Sequence, residues 1–264
     1  MTDVCVELHC AIIDCIDDPT TLSAYSLTCK AFLAASRRRL FCDIRLFKGD
    51  MAERFIEIIC STPAATNPSL YVRHLCIIEG LHVNTYGSRP SGWINMALPL
   101  LTTNLLEVTV LELENLDWSI LDKKARNIFM SGFQKVKRLK IFSGYFDNPE
   151  QMIQFIRTFP SLMDLQISHT NWSHNLTPTI PLPTKLQVLS LPSHYYRFER
   201  FLTTEQHPHL HTLILQSELY LSSEDIRAIG RFLNIIGSGL EHLDLGGLWD
   251  IRYAEGYYHF CSIS

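Results

Sequence analysis

The sequence contains no Cys-x-x-Cys pair, although eight cysteines stand at positions 5, 10, 15, 29, 42, 60, 76 and 261. Those gaps fit neither a zinc knuckle nor a small disulfide framework, so reduced, partly buried thiols are expected. No apolar run approaches the roughly 18–20 residues that cross a bilayer. Charge is sparse: 23 basic and 27 acidic residues make up 19% of the chain, with a net charge of −4. That balance gives no reason to bind nucleic acid or an anionic membrane. A phosphate-binding glycine loop, a Gly-x-Ser-x-Gly elbow and a His-Glu-x-x-His pair are all missing, so neither catalysis nor a cofactor is expected. His207, His209 and His211 flank Pro208 in what reads as a turn, and no metal is assigned to them. The start, Met1-Thr2-Asp3-Val4-Cys5-Val6-Glu7, is acidic where a signal or transit peptide is basic. The expected setting is therefore cytoplasmic and/or nuclear.

Leucine and isoleucine are what the chain has in excess, 61 of 264 residues. A six-residue core, apolar-x-x-Leu-x-apolar, explains many of them. It recurs as Val72-Leu75-Ile77, Val108-Leu111-Leu113, Val136-Leu139-Ile141, Leu162-Leu165-Ile167, Leu186-Leu189-Leu191, Leu210-Leu213-Leu215 and Leu240-Leu243-Leu245. The central leucines are spaced by 36, 28, 26, 24, 24 and 30 residues. Most of these intervals fall in the range of leucine-rich repeats. Each core alternates as a short strand, so its fourth and sixth positions point inward. A single strand cannot bury such a face alone, whereas parallel stacking of copies builds one continuous core. The expected fold class is α/β: a curved solenoid over residues 70–248 with about seven repeats and a parallel sheet. Helices or extended segments should cover its convex side.

Several crossings between strands read as helices. Asn148-Pro149-Glu150-Gln151 is a helix start with a cap, a first-turn proline and a reciprocal glutamine. Ser222-Ser223-Glu224-Asp225 begins another that ends near Gly237. Residues 117–132 are a less regular third. Pro178, Pro181 and Pro183 make the crossing at 171–184 extended instead.

Residues 1–47 follow a helical rhythm. Leu8, Ala11, Ile12, Cys15 and Ile16 mark one face of a first helix. Thr20 or Thr21 can cap a second helix through Leu22 and Leu27, and a third runs from about Lys30 through Phe32, Leu33 and Leu40. Three short helices make a very small core, which points to a partner covering exposed apolar surface.

This segment resembles an F-box. The residues that carry the resemblance are Val4-Cys5-Val6-Glu7-Leu8, Ile12, Ile16, Asp18-Pro19-Thr20-Thr21-Leu22, Leu27, and Cys29-Lys30-Ala31-Phe32. Continued through Ser36-Arg37-Arg38-Arg39-Leu40-Phe41, the string is similar to the F-box-like segments abundant in mushroom-forming (basidiomycete) fungi. Phe55 to Ser61 and Tyr71 to Leu75 look like the linker of those proteins, which assigns 48–69 to a linker helix and loop. The resemblance implies the substrate receptor of a Skp–cullin–F-box ubiquitin ligase. Such a receptor binds a Skp-type adaptor, and through it a cullin–RING ligase, while the repeats hold a protein substrate. Carried over by position, adaptor contacts fall on Val4, Cys5, Leu8, Ile12, Leu22, Leu27, Lys30 and Phe32. The alternative for Leu8, Ile12, Leu27 and Phe32 is that they hold the three helices together. Val4-Cys5 stand where an F-box usually has Leu-Pro, which removes some preorganisation. A free-standing repeat scaffold with a degenerate F-box is the alternative for the whole chain.

Third and fifth positions of each core should face a partner from the concave side. The candidates are His74, Glu112, Arg138, Lys140, Asp164, Gln166, Ser190, Thr212, His242 and Asp244. Arg138 and Lys140 can receive an acidic or phosphorylated segment, or else pair with Asp164 and Glu112 on neighbouring strands. Loop aromatics that follow the cores, namely Trp118, Tyr145, Trp172, Tyr195, Tyr196, Tyr220 and Trp249, are candidates for a second, rim surface. Residues 249–264, with Tyr253, Tyr257, Tyr258 and Phe260, are expected to form a C-terminal tail or cap over the last apolar layer.

Overall fold

The structure is a computed structural model that describes residues 6–47, 49–63, 66–79, 92–172, 182–192, 198, 209–216 and 222–246. Its N-terminal part is three short helices, α1 (Val6–Asp14), α2 (Pro19–Ser26) and α3 (Lys30–Phe41). Asp18, and neither Thr20 nor Thr21, caps α2: its carboxylate accepts from the Thr21 amide at 2.7 Å, and Pro19 fills the first turn. The core of this unit is Ile13, Leu22 and Ala35, with Cys10, Ile16, Phe32 and Leu40 packed around it.

Eight strands then form one sheet in which every pair is parallel. They are β1 (Asp43–Leu46), β2 (His74–Ile78), β3 (Val110–Glu114), β4 (Arg138–Phe142), β6 (Asp164–Ser168), β8 (Val188–Leu191), β9 (Thr212–Leu215) and β10 (His242–Asp244). Their spatial order is their chain order, and the sheet stays open among the described residues. Two more short strands, β5 (Tyr145–Phe146) and β7 (Asn171–Trp172), pair beside it. Five further α-helices occur among the described residues: α4 (Gly49–Ser61), α5 (Trp93–Asn104), α6 (Lys123–Ser131), α7 (Pro149–Arg157) and α8 (Ser223–Ile236). The architecture is thus mixed α/β.

Register makes the leucines one layer. Leu75, Leu111, Leu139, Leu165, Leu189 and Leu213 stand side by side across six strands and are fully buried. Ile77, Leu113 and Ile141 form the next row, and Leu191 and Leu215 stand side by side further on. The buried faces of α4 to α8 share one continuous core with these rows. Just before each strand the chain steps in unison: the carbonyls of Arg73, Thr109, Lys137, Met163 and Gln187 each accept from the equivalent amide of the next copy at 2.8–3.1 Å. After three strands the chain turns through a left-handed residue, Asn115, Ser143 and His169 (φ 57°, 53° and 48°). Polar side chains tolerate that region better than β-branched ones.

Two expectations about boundaries need correction. The sheet begins at Asp43, inside the segment assigned to the first helical unit, because Phe41-x-x-Ile44-x-Leu46 is a further copy of the core with isoleucine at its centre. Helix α4 is accordingly the crossing between β1 and β2, and its buried Ala52, Phe55 and Ile59 belong to the sheet's core, so 48–69 is no mere linker. Helix α5 has no counterpart in the sequence reading, since Pro99 lies inside it. A proline normally breaks a helix interior, yet six buried residues of α5 hold it in place. Helices α7 and α8 start where expected. Asn148 caps α7, and Ser222 and Asp225 form a reciprocal box on α8. The crossing after Trp172 and the segment 249–264 lie outside the described residues.

Between the leucine layer and helices α6 and α7 sits an aromatic cluster. Phe155 lies 4.7 Å from Trp118, 5.1 Å from Phe159 and 5.3 Å from Phe129, ring centre to ring centre. Phe155→Ala should destabilise the protein by about 3–5 kcal/mol, read as a lower urea midpoint. Tyr145→Ala, at an exposed position, should shift that midpoint far less.

Candidate functional site

Two surfaces are built by this fold, and alternation along the strands makes the first. The residues between the buried leucines line the opposite, open face in two rows. The first row runs Asp43, His74, Val110, Arg138, Asp164, Val188, Thr212 and His242. The second runs Arg45, Cys76, Glu112, Lys140, Gln166, Ser190, Ile214 and Asp244. All ten concave-face candidates are in these rows. Glu112, Ser190 and Asp244 are buried even so.

The charges on this face pair across strands. Arg138 binds Asp164, and Lys140 reaches Glu112 at 3.6 Å. Of the two arrangements the sequence allows, the cross-strand pairing is the one present in the unbound chain, with both cations engaged within the sheet. The ladder continues past Glu112. His74 Nε2 lies 3.1 Å from Glu112 Oε2, and its Nδ1 lies 3.0 Å from Asp43 Oδ2. Beside it Cys76, fully buried, donates to Glu114 Oε1 at 3.6 Å. Burial, and then the charges of Glu112 and Glu114, push the Cys76 thiol up to about 12. Burial also raises Glu79 above the usual carboxylate range, although the Gly92 amide opposes it. Further along, Gln216 bridges Ser168 and Ser190.

Of the three described candidates for an aromatic rim, two turn inward. Trp118 and Trp172 are only 2% and 8% exposed, since each turns back over the end of the leucine layer. Trp118 stacks on Phe146 at 5.6 Å, and Trp172 meets Phe198 edge-on at 5.5 Å. Only Tyr145 among the described rim candidates is exposed. Tyr195, Tyr196, Tyr220 and Trp249 lie outside the described residues.

The second surface is on the helical unit. Helix α1 turns Ile13 inward and leaves Leu8 and Ile12 54% and 41% exposed. The face marked by Leu8, Ala11, Ile12 and Cys15 is therefore largely the outward one, and for Leu8 and Ile12 the alternative of holding the three helices together is not what the helix does. Leu27, at the end of α2, is 84% exposed. Leu22 is a correction: it is a core residue, closed off from any partner. Phe32 is half-buried, packed on that core and edge-on to Tyr25. Val4 and Cys5, and the Lys30 side chain, lie outside the described residues.

Compared with known proteins, the chain matches no family model. No curated protein matches it either. No helix among the described residues is long and apolar enough to cross a membrane.

Two measurements check these environments. Iodoacetamide at mildly alkaline pH should label the exposed Cys15, Cys29 and Cys60 well before Cys76, read by peptide mass mapping. Asp18 is held down to about 2 from 3.8 by hydrogen bonds from the Thr20 and Thr21 hydroxyls and the Thr21 amide. Carboxyl carbon shifts should place its titration there. Because the folded value is depressed, this cap contributes stability above the unfolded value that is lost as pH falls towards 2.

Proposed function

We propose that this chain is an F-box protein with leucine-rich repeats, the substrate-recognition subunit of a Skp–cullin–F-box ubiquitin ligase. The F-box is residues 1–42. The repeats start at β1 and form a curved solenoid, with its concave side towards a protein substrate. On this reading the chain performs no catalysis of its own.

One observation carries the proposal. Leu8 and Ile12 on α1, together with Leu27, are large apolar side chains turned away from a core of three small or medium residues. Burying such a side chain is worth about 1.5–3 kcal/mol, so leaving three of them in water is unfavourable without a partner. Their positions match those at which an F-box meets its adaptor. The parallel strands in chain order, each preceded by the same apolar step, support the repeat half of the reading in the same way. The polar rows of the open face suit a substrate whose charges complement Asp43, Arg138, Asp164 and Lys140 better than they suit an apolar peptide.

Co-expression with a Skp-type adaptor, followed by titration calorimetry, tests the proposal. A stable equimolar complex is expected. Leu8→Asp and Leu27→Asp, both at exposed sites, should each weaken it by about 30-fold or more, the usual effect of losing a binding hot spot, while the circular dichroism spectrum is unchanged. No binding at micromolar concentrations would leave a free-standing repeat scaffold instead.

A further inference from the structure

We propose that His74, Cys76, Glu112 and Glu114 bind one divalent cation of the zinc class on the open face of the sheet. The four residues sit on the neighbouring parallel strands β2 and β3, with Cys76 beside Glu112 and Ile78 beside Glu114. Strand alternation turns all four to the same side. Cys76 Sγ and one oxygen from each glutamate lie within 4.8 Å of one another. A tetrahedral site with bonds of about 2.0–2.3 Å holds its donors about 3.3–3.8 Å apart, so side-chain shifts on the order of 1 Å close this one. His74 supplies the fourth donor from outside that triangle, its Nε2 already 3.1 Å from Glu112 Oε2.

Three features set this cluster apart from an acidic patch or a solitary thiol. The donors are nitrogen, sulfur and oxygen together, a set that selects zinc over the all-oxygen preference of magnesium or calcium. The histidine is oriented for ligation: Asp43 Oδ2 stands 3.0 Å from Nδ1, which leaves Nε2 facing Glu112. That carboxylate–histidine arrangement is the usual outer support of a metal-bound imidazole. Finally, the charge is unbalanced. Arg45 and Lys140 flank the cluster, but among the described residues Glu114 has no cationic partner and meets only the thiol. Binding releases the thiol proton, and the cation then neutralises a carboxylate, Glu112, that the fold has buried. Both His74 and Lys140 contact Glu112 through Oε2, so Oε1 remains to take the metal.

The test uses the full-length protein, reduced, stripped with a chelator and titrated with cobalt(II). One equivalent should bind, with thiolate-to-cobalt charge-transfer absorption that zinc(II) displaces. Cys76→Ser should abolish that absorption. Asp43→Asn, acting through His74, should weaken binding about 10–100-fold while the absorption persists at saturation. Glu114→Gln, at a half-exposed position that leaves the fold intact, should weaken it further. No saturable absorption, or absorption that survives in Cys76→Ser, would overturn the proposal and leave these residues as a cross-strand ion-pair ladder only. The experiment is independent of adaptor binding.

Discussion

Everything in this molecule depends on one geometric constraint: successive side chains of a strand point to opposite faces. In β2, β3, β4, β6, β8 and β9 the central leucines are fully buried, and their neighbours one residue away face solvent or one another. A slip of one residue in β3 or β4 would place a leucine in the row of Glu112 and Lys140 and a charge in the core. Register is therefore fixed by the hydrophobic layer, and the open-face ladder is ordered as its by-product. The same layer dictates the aromatic cluster, because the ends of the strands need covering and Trp118, Phe146 and Trp172 turn in to do it.

Leucine spacing alone made most of this legible. The seven cores in the sequence become seven strands in chain order, and the positions between the leucines become the open face. Helices with strong caps, at Asn148 and Ser222, were also visible, since capping is local chemistry. What escaped was structure maintained by packing against local preference. Strand β1 carries Ile44 in place of the central leucine, and α5 contains Pro99; in both, burial overrides the pattern. Trp118 and Trp172 had the right spacing for a rim but no local signal of direction, and the hydrophobic layer draws both inward.

The helical unit and the His74–Cys76–Glu112–Glu114 cluster illustrate two further limits. In α1 two apolar stripes overlap, and periodicity cannot decide which of them is buried; Ile13 took the core and left Leu8 and Ile12 outside. The cluster joins two pairs, His74 and Cys76 with Glu112 and Glu114, that lie 36 or more positions apart along the chain, so no spacing rule for cysteines finds it. It becomes visible only once the register sets Cys76 beside Glu112. Function in this architecture is written in the residues that the leucine layer does not use.

The proposed separation between a sheet held by its leucine layer and an adaptor surface on the outward side of α1 and α2 is tested most directly by hydrogen exchange of the chain alone and with a saturating Skp-type adaptor. The account predicts new protection confined to the amides of α1 and α2, with exchange in β2 to β10 unchanged. Protection on the open-face strands with none on α1 and α2 would contradict it.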